Sequence, residues 1–210
     1  MNKISKKKKI FLIADAIAIV LLVLLDQFTK YLAVVRLQDK PAYKIIEGVL
    51  ELNFLKNSGA AFGMLQNQKV FFVLVAAMIL LIIAYVLFRL PDDKKYNVMH
   101  VLLVMIASGA AGNMIDRIKQ DYVVDFIYFV IINFPIFNVA DIYVTVSTFI
   151  FIILFLAFIP IIYFISTKSY TVTYFIMFGF GFFNYLITFI AKKINDWSFN
   201  MVVKHGNKSK

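Results

Sequence analysis

Cysteine is absent from the 210-residue chain, which excludes disulfides, thiolate metal sites and cysteine nucleophiles together. Histidine is nearly absent. Its two copies, His100 and His205, stand at the start of one apolar run and in the C-terminal tail. A serine–histidine site would have no base near the acidic residues discussed below, and a histidine-ligated zinc fails for the same reason. There is no polar stretch long enough for a soluble domain, no low-complexity linker and no internal repeat. Acidic residues are few, 12 against 22 lysines and arginines, a net charge of +10. These basic residues are spread over loops and tails, which argues against nucleic acid as a partner. The tight cluster Lys6–Lys9 precedes the first apolar run and reads as a cytosolic anchor against anionic lipid.

What the chain has instead is apolar mass. Hydrophobic residues make up 62% of it, far above the roughly 45–50% of soluble domains. Several windows reach the ~20 residues that cross a bilayer. The sequence predicts an all-α membrane protein with four spans, at about 10–35, 70–90, 98–118 and 141–165. The first is expected to stay uncleaved, because it meets Asp26-Gln27 and not a small-residue cleavage site. Turn residues separate the spans: Asp39-Lys40-Pro41, Pro91-Asp92-Asp93 and Pro135. Pro160 falls late enough in the fourth span to kink it without breaking it. The 23 phenylalanines read as lipid-facing bulk. A further apolar segment, 170–191, belongs to a C-terminal extension, 166–210. If it crossed, most lysines and arginines would lie outside, so the charge rule favours an interfacial or re-entrant segment.

Ionisable residues inside spans are expensive and are functional by default. Here they gather at one depth. With Lys6–Lys9 inside, Asp26 and Lys30 lie toward the outer end of the first span. Asn57 leads into the second, Asn113, Asp116 and Arg117 close the third, and Asp141 opens the fourth. Asp15, deeper in the first span, has no counterpart. The 15 residues between Asp125 and Asp141 would cover about 22 Å as a helix, too short to cross. Both aspartates therefore share a face, and the run between them lies along the interface or folds back on the spans. Two carboxylates sharing a proton can serve as general base and general acid on one water. Spacing alone leaves another reading open, in which Asp141 caps a helix and Asp125 binds interfacial water. Asp26 and Lys30 could likewise be an exposed i,i+4 pair, and Asp121 reads as a solvated turn residue.

Five motifs go further. "DQFTK" (26–30), "NSGAAFG" (57–63), "SGAAGNMIDR" (108–117), "VVDF" (123–126) and "FNVAD" (137–141) resemble, in order and spacing, those of signal peptidase II, the bacterial lipoprotein signal peptidase. The resemblance covers roughly residues 10–165. It implies an intramembrane aspartic endopeptidase with four spans and a small extracytoplasmic sheet-like region. Such an enzyme removes the signal peptide of a diacylated prolipoprotein just before its diacylglyceryl cysteine. By motif match Asp125 and Asp141 take the catalytic positions. Asp26, Asn57, Asn113, Asp116, Arg117 and Asn138 take supporting or substrate-binding ones. Ser108-Gly109 stands where the family usually has a glycine pair, and serine is small enough for the packing to survive. The expected setting is a bacterial cell membrane, with the N-terminus cytoplasmic and the site near the extracytoplasmic face. A monomer among membrane lipids, needing no metal or organic cofactor, is expected. Two rivals remain: a proton or cation relay, which would need ionisable groups through the membrane's depth, and a non-catalytic scaffold.

Overall fold

A computed structural model describes residues 5–59, 65–91 and 93–167, with side chains to residue 156. The apolar segment 170–191 lies outside these residues. Met1–Phe151 packs as one compact unit and Ile152–Lys210 as another; everything below concerning the site lies in the first.

Four long apolar helices form where the hydrophobic runs predict them: α1 (Lys6–Leu37), α2 (Lys69–Arg89), α3 (Asn97–Gln120) and α4 (Val139–Thr167). The expected bounds hold to within a few residues at each end, and α4 continues through Pro160. Each of the four is long and apolar enough to cross a membrane. Their outward faces carry side chains such as Ile17, Leu21, Leu74, Leu81 and Phe149, all well exposed, as a lipid solvent requires. In the apolar windows, 44% of α3 is buried against 11% of α1 and of α2. α3 is thus the central helix. Ile83 and Leu87 of α2 pack on Leu103 and Ala107 of α3 to form one core cluster.

Close approach of α3 to its neighbours depends on small residues. A Cβ on Gly109 would run into the Ala140 backbone carbonyl, and one on Gly112 into the Asp26 carboxylate. Ser108, in place of a glycine, is fully buried. It donates its hydroxyl to the Val104 carbonyl at 2.7 Å, so the packing does survive the substitution.

A three-stranded antiparallel sheet, β1 (Tyr43–Ile46), β2 (Leu50–Asn57) and β3 (Val123–Phe129) in that spatial order, packs against α1 and α3. β1 and β2 form a hairpin across Glu47-Gly48-Val49, where Gly48 takes φ +71°, a backbone state that costs glycine nothing. β2 and β3 pair from Leu50↔Phe129 to Asn57↔Val123, with a register shift between Leu52 and Leu55. The run after β3 does fold back. A short helical turn (Val130–Ile132) ends at Asn133 with φ +48°, and Phe137 exchanges backbone hydrogen bonds with Ile127. That return delivers Asn138 and α4 beside Asp125.

Two polar features depart from the expectations. Lys8 is not a lipid anchor: it is buried, and its Nζ donates to the carbonyl oxygens of Leu87 (2.8 Å) and Leu90. It thereby supplies donors to unpaired carbonyls at the C-terminus of α2. Asp15 gains a partner too. Its Oδ2 lies 2.8 Å from His100 Nδ1, with both residues buried between α1 and α3. A deep carboxylate is tolerated there because it is paired.

Candidate active site

Every residue singled out for the site lies at one end of the helices, the end opposite Lys8. Asp125, in the middle of β3, is 1% exposed, and both its oxygens are occupied. Oδ2 accepts from Asn57 Nδ2 at 2.8 Å across the β2–β3 pair, and Oδ1 accepts from Asn138 Nδ2 at 2.6 Å. Asp141, half-buried in the first turn of α4, accepts from Asn113 Nδ2 at 2.8 Å through Oδ1. Its Oδ2 accepts from the Asn138 backbone N–H at 3.1 Å. In return the Asp141 N–H donates to Asn138 Oδ1 at 3.0 Å. Asn138 and Asp141 thus form a reciprocal box at the N-terminus of α4, satisfying two backbone donors the helix leaves open. The capping reading of Asp141 is therefore correct. It does not compete with the catalytic one, since the Asp141 carboxylate also faces the cavity.

Three asparagine amides hold the two carboxylates, and each has its own oxygen tied down. Asn57 Oδ1 accepts from the Gly59 N–H at 3.0 Å. Asn138 Oδ1 is held as above. Asn113 Oδ1 accepts from Lys30 Nζ at 2.8 Å and from Asn138 Nδ2 at 3.2 Å. With the oxygen fixed, the N–H₂ side can only point at an aspartate. Arg117 reaches the Gly59 carbonyl at 3.0 Å and the Asn113 carbonyl at 3.3 Å, and its guanidinium stacks over the Phe72 ring at 4.5 Å. The "NSGAAFG" stretch is described only to Gly59 before residue 65.

Behind this layer lies a buried ionic cluster. Lys30 Nζ sits 2.9 Å from Asp26 Oδ2 and 3.0 Å from Asp116 Oδ2. Asp26 Oδ1 accepts the Ala140 N–H at 2.9 Å, a further open donor of α4. Asp116 accepts from Gln27 Nε2 at 2.8 Å and, at 3.3 Å, from the N–H of Val124, the residue before Asp125. As their adjacency on a helix requires, Asp116 and Arg117 do pair with different neighbours. The exposed i,i+4 reading of Asp26 and Lys30 is overturned: they are 0% and 3% exposed, because glycine at 112 lets α3 close over that face of α1. Lys30 and Gln27 join the cluster without having been among the expected site residues. Their signal was a lysine one turn beyond a buried aspartate, close to a third helix carrying Asp116. Asp121 is exposed, as expected, and pairs with Lys69 at 2.6 Å.

A cavity of about 490 Å³ opens beside the aspartates. Asn57, Asn113, Arg117, Asp125 and Asp141 supply its polar lining; Phe129, Ile132, Phe134, Ile136, Phe137, Ile142 and Val146 supply most of its apolar lining. Burial, reinforced by the neighbouring Asp141 charge, pushes the Asp125 carboxyl up to about 7, against the amide bonds from Asn57 and Asn138 that favour its ionised form. Near neutrality such a carboxyl can carry a proton while facing a second acid. No cluster of metal-ligating side chains occurs among the described residues.

Residues 18–158 match the family described as signal peptidase (SPase) II. The chain belongs to the signal peptidase II family. A lipoprotein signal peptidase of Caldanaerobacter subterraneus subsp. tengcongensis is 42% identical over 132 residues, covering 62% of this chain and 88% of that protein. One from Streptococcus thermophilus is 42% identical over 143 residues, covering 68% and 92%. Among solved structures, a bacterial membrane enzyme determined by the in meso method at 2.3 Å superposes with a TM-score of 0.63. It has 31% identity over 69% of this chain and 88% of that one. This peptidase is therefore a multi-pass membrane protein, with four apolar helices and a fold similar to that of a solved bacterial membrane enzyme.

Proposed function

We propose that this chain is an intramembrane aspartic endopeptidase that removes the signal peptide of diacylated prolipoproteins before the lipid-bearing cysteine. The observation that carries the reading is the pair Asp125 and Asp141 lining one cavity together with apolar side chains that suit a lipid-modified chain. The substrate enters laterally from the bilayer, its acyl chains against Phe129, Phe134 and Ile142, and its scissile amide beside the two carboxylates. Ionised Asp141 takes a proton from water as the oxygen attacks the carbonyl carbon. Protonated Asp125 donates to the carbonyl oxygen, giving a tetrahedral diol. Collapse then breaks the C–N bond, the proton held by Asp141 passes to the leaving amine, and Asp125 recovers its own. Water supplies the only added atoms.

The proposed setting is a bacterial cell membrane, with Lys6–Lys9 cytoplasmic and the dyad at the extracytoplasmic face, as the charge distribution favours. The proposed working unit is a monomer. Asp125, as acid, must be protonated, so activity falls as pH rises through about 7. Above that point kcat/KM should drop about tenfold per unit. Incubating the purified peptidase with a diacylated prolipoprotein tests the substrate assignment by mass spectrometry. One cut, immediately before the lipidated cysteine, is expected, with the unlipidated precursor left largely intact. Equal cleavage of both precursors, or a cut elsewhere, would overturn it.

A further inference from the structure

Lys30 is charged, buried and outside the cavity wall. Its three ammonium hydrogens match three acceptors: Asp26 Oδ2, Asp116 Oδ2 and Asn113 Oδ1, at 2.9, 3.0 and 2.8 Å. Two of these contacts balance charge. The third goes to a neutral amide that is itself bonded to Asp141.

We infer that Lys30 is a positioning residue for the reaction: by holding the Asn113 carbonyl oxygen, it turns the Asn113 N–H₂ toward Asp141. The inference rests on the reading of Asp141 as a member of the dyad. An asparagine amide is nearly symmetric in shape, and its two orientations, half a turn apart, are told apart only by their partners. Here the flipped amide would put N–H₂ against an ammonium and a carbonyl oxygen against the Asp141 carboxylate. Both contacts would be repulsive. The other donor to Asn113 Oδ1, Asn138 Nδ2, is neutral and shared with Asp125, so it is the weaker guide. Lys30 thus connects the buried ionic cluster to the reacting carboxylate through one side chain.

A merely structural lysine would act through Asp26 and Asp116, which have other partners in Ala140, Gln27 and Val124. A kinetic double-mutant cycle separates the two roles. Lys30→Met should lower kcat on the order of 10²-fold, the scale of an ångström-sized misplacement, with KM within about twofold of wild type because Lys30 does not line the cavity. Asn113→Ala should lower kcat similarly. The double variant should be no worse than the poorer single one, since the lysine would then have nothing to orient. Losses that multiply to about 10⁴-fold, or a wild-type kcat in Lys30→Met, would overturn the inference. Should Lys30→Met fail to fold, the same cycle is run with Asp26→Asn and Asp116→Asn in place, which removes the unpaired buried charge. Asp141→Asn is assayed alongside. If it is active, the dyad reading itself falls; if it is inactive and the cycle multiplies, only the role of Lys30 falls.

Discussion

Replacing Asn57 by leucine tests how the Asp125 proton is controlled. The Asn57 amide donates to Asp125 Oδ2 at 2.8 Å and favours the ionised carboxylate, partly offsetting burial and the Asp141 charge. A hydrogen bond to a charged group is worth about 1.5–3 kcal/mol. The protonated acid keeps a weaker version of it, so the differential between the two forms is roughly 1–2 kcal/mol. At 1.36 kcal/mol per unit, losing the donor should raise the Asp125 value by about one unit. Leucine has the branched outline of asparagine, is larger and brings no donor, and its bulk keeps water from replacing the amide. The sign follows: the acid survives to higher pH, so the alkaline limb of kcat/KM, near 7 in the wild type, should move to about 8. The assay is a pH profile of cleavage of a diacylated substrate in nanodiscs. A limb that stays at 7 or moves down would refute the assignment of that limb to Asp125.

Two further perturbations probe the packing beneath the site. Gly112→Ala places a methyl against the Asp26 carboxylate, so it should destabilise by about 1–3 kcal/mol and lower the thermal midpoint; an unchanged midpoint would mean that α1 can back away freely. Asp15→Leu strands His100 Nδ1 in the bundle and should cost about 2 kcal/mol. Asp15→Leu with His100→Leu should recover most of that loss, because both polar partners are gone, and thermal unfolding in detergent distinguishes the two outcomes.

The helices were legible because a lipid-facing span writes itself as ~20 apolar residues, and α1 to α4 obey that length rule. The convergence of Asp125 and Asp141 was legible for a related reason: the run between them is too short to cross, and β3 with its returning loop is how the chain satisfies that limit. The family resemblance implied a small sheet, but the hairpin of β1 and β2 was not legible in the residue pattern. Its strands are short, the exposure of β1 on both faces leaves no alternation to detect, and Gly48 was its one local sign. Lys30 and Lys8 were misjudged because burial in a membrane bundle depends on which helix lies opposite. Sequence spacing gives the i,i+4 relation of Asp26 and Lys30 but not the α3 face, with Gly112, Asn113 and Asp116, that covers them. Asp15 likewise had no visible partner, since His100 lies 85 positions away.

The central claim is that Asp125 and Asp141 together perform the hydrolysis. Single-turnover cleavage of a diacylated prolipoprotein by wild type, Asp125→Asn and Asp141→Asn tests it most directly, with thermal unfolding confirming that each variant is folded. Both variants are expected to fold and to lose cleavage, since an amide can neither hold the proton nor take one from water. Cleavage at the wild-type rate by either folded variant would contradict it.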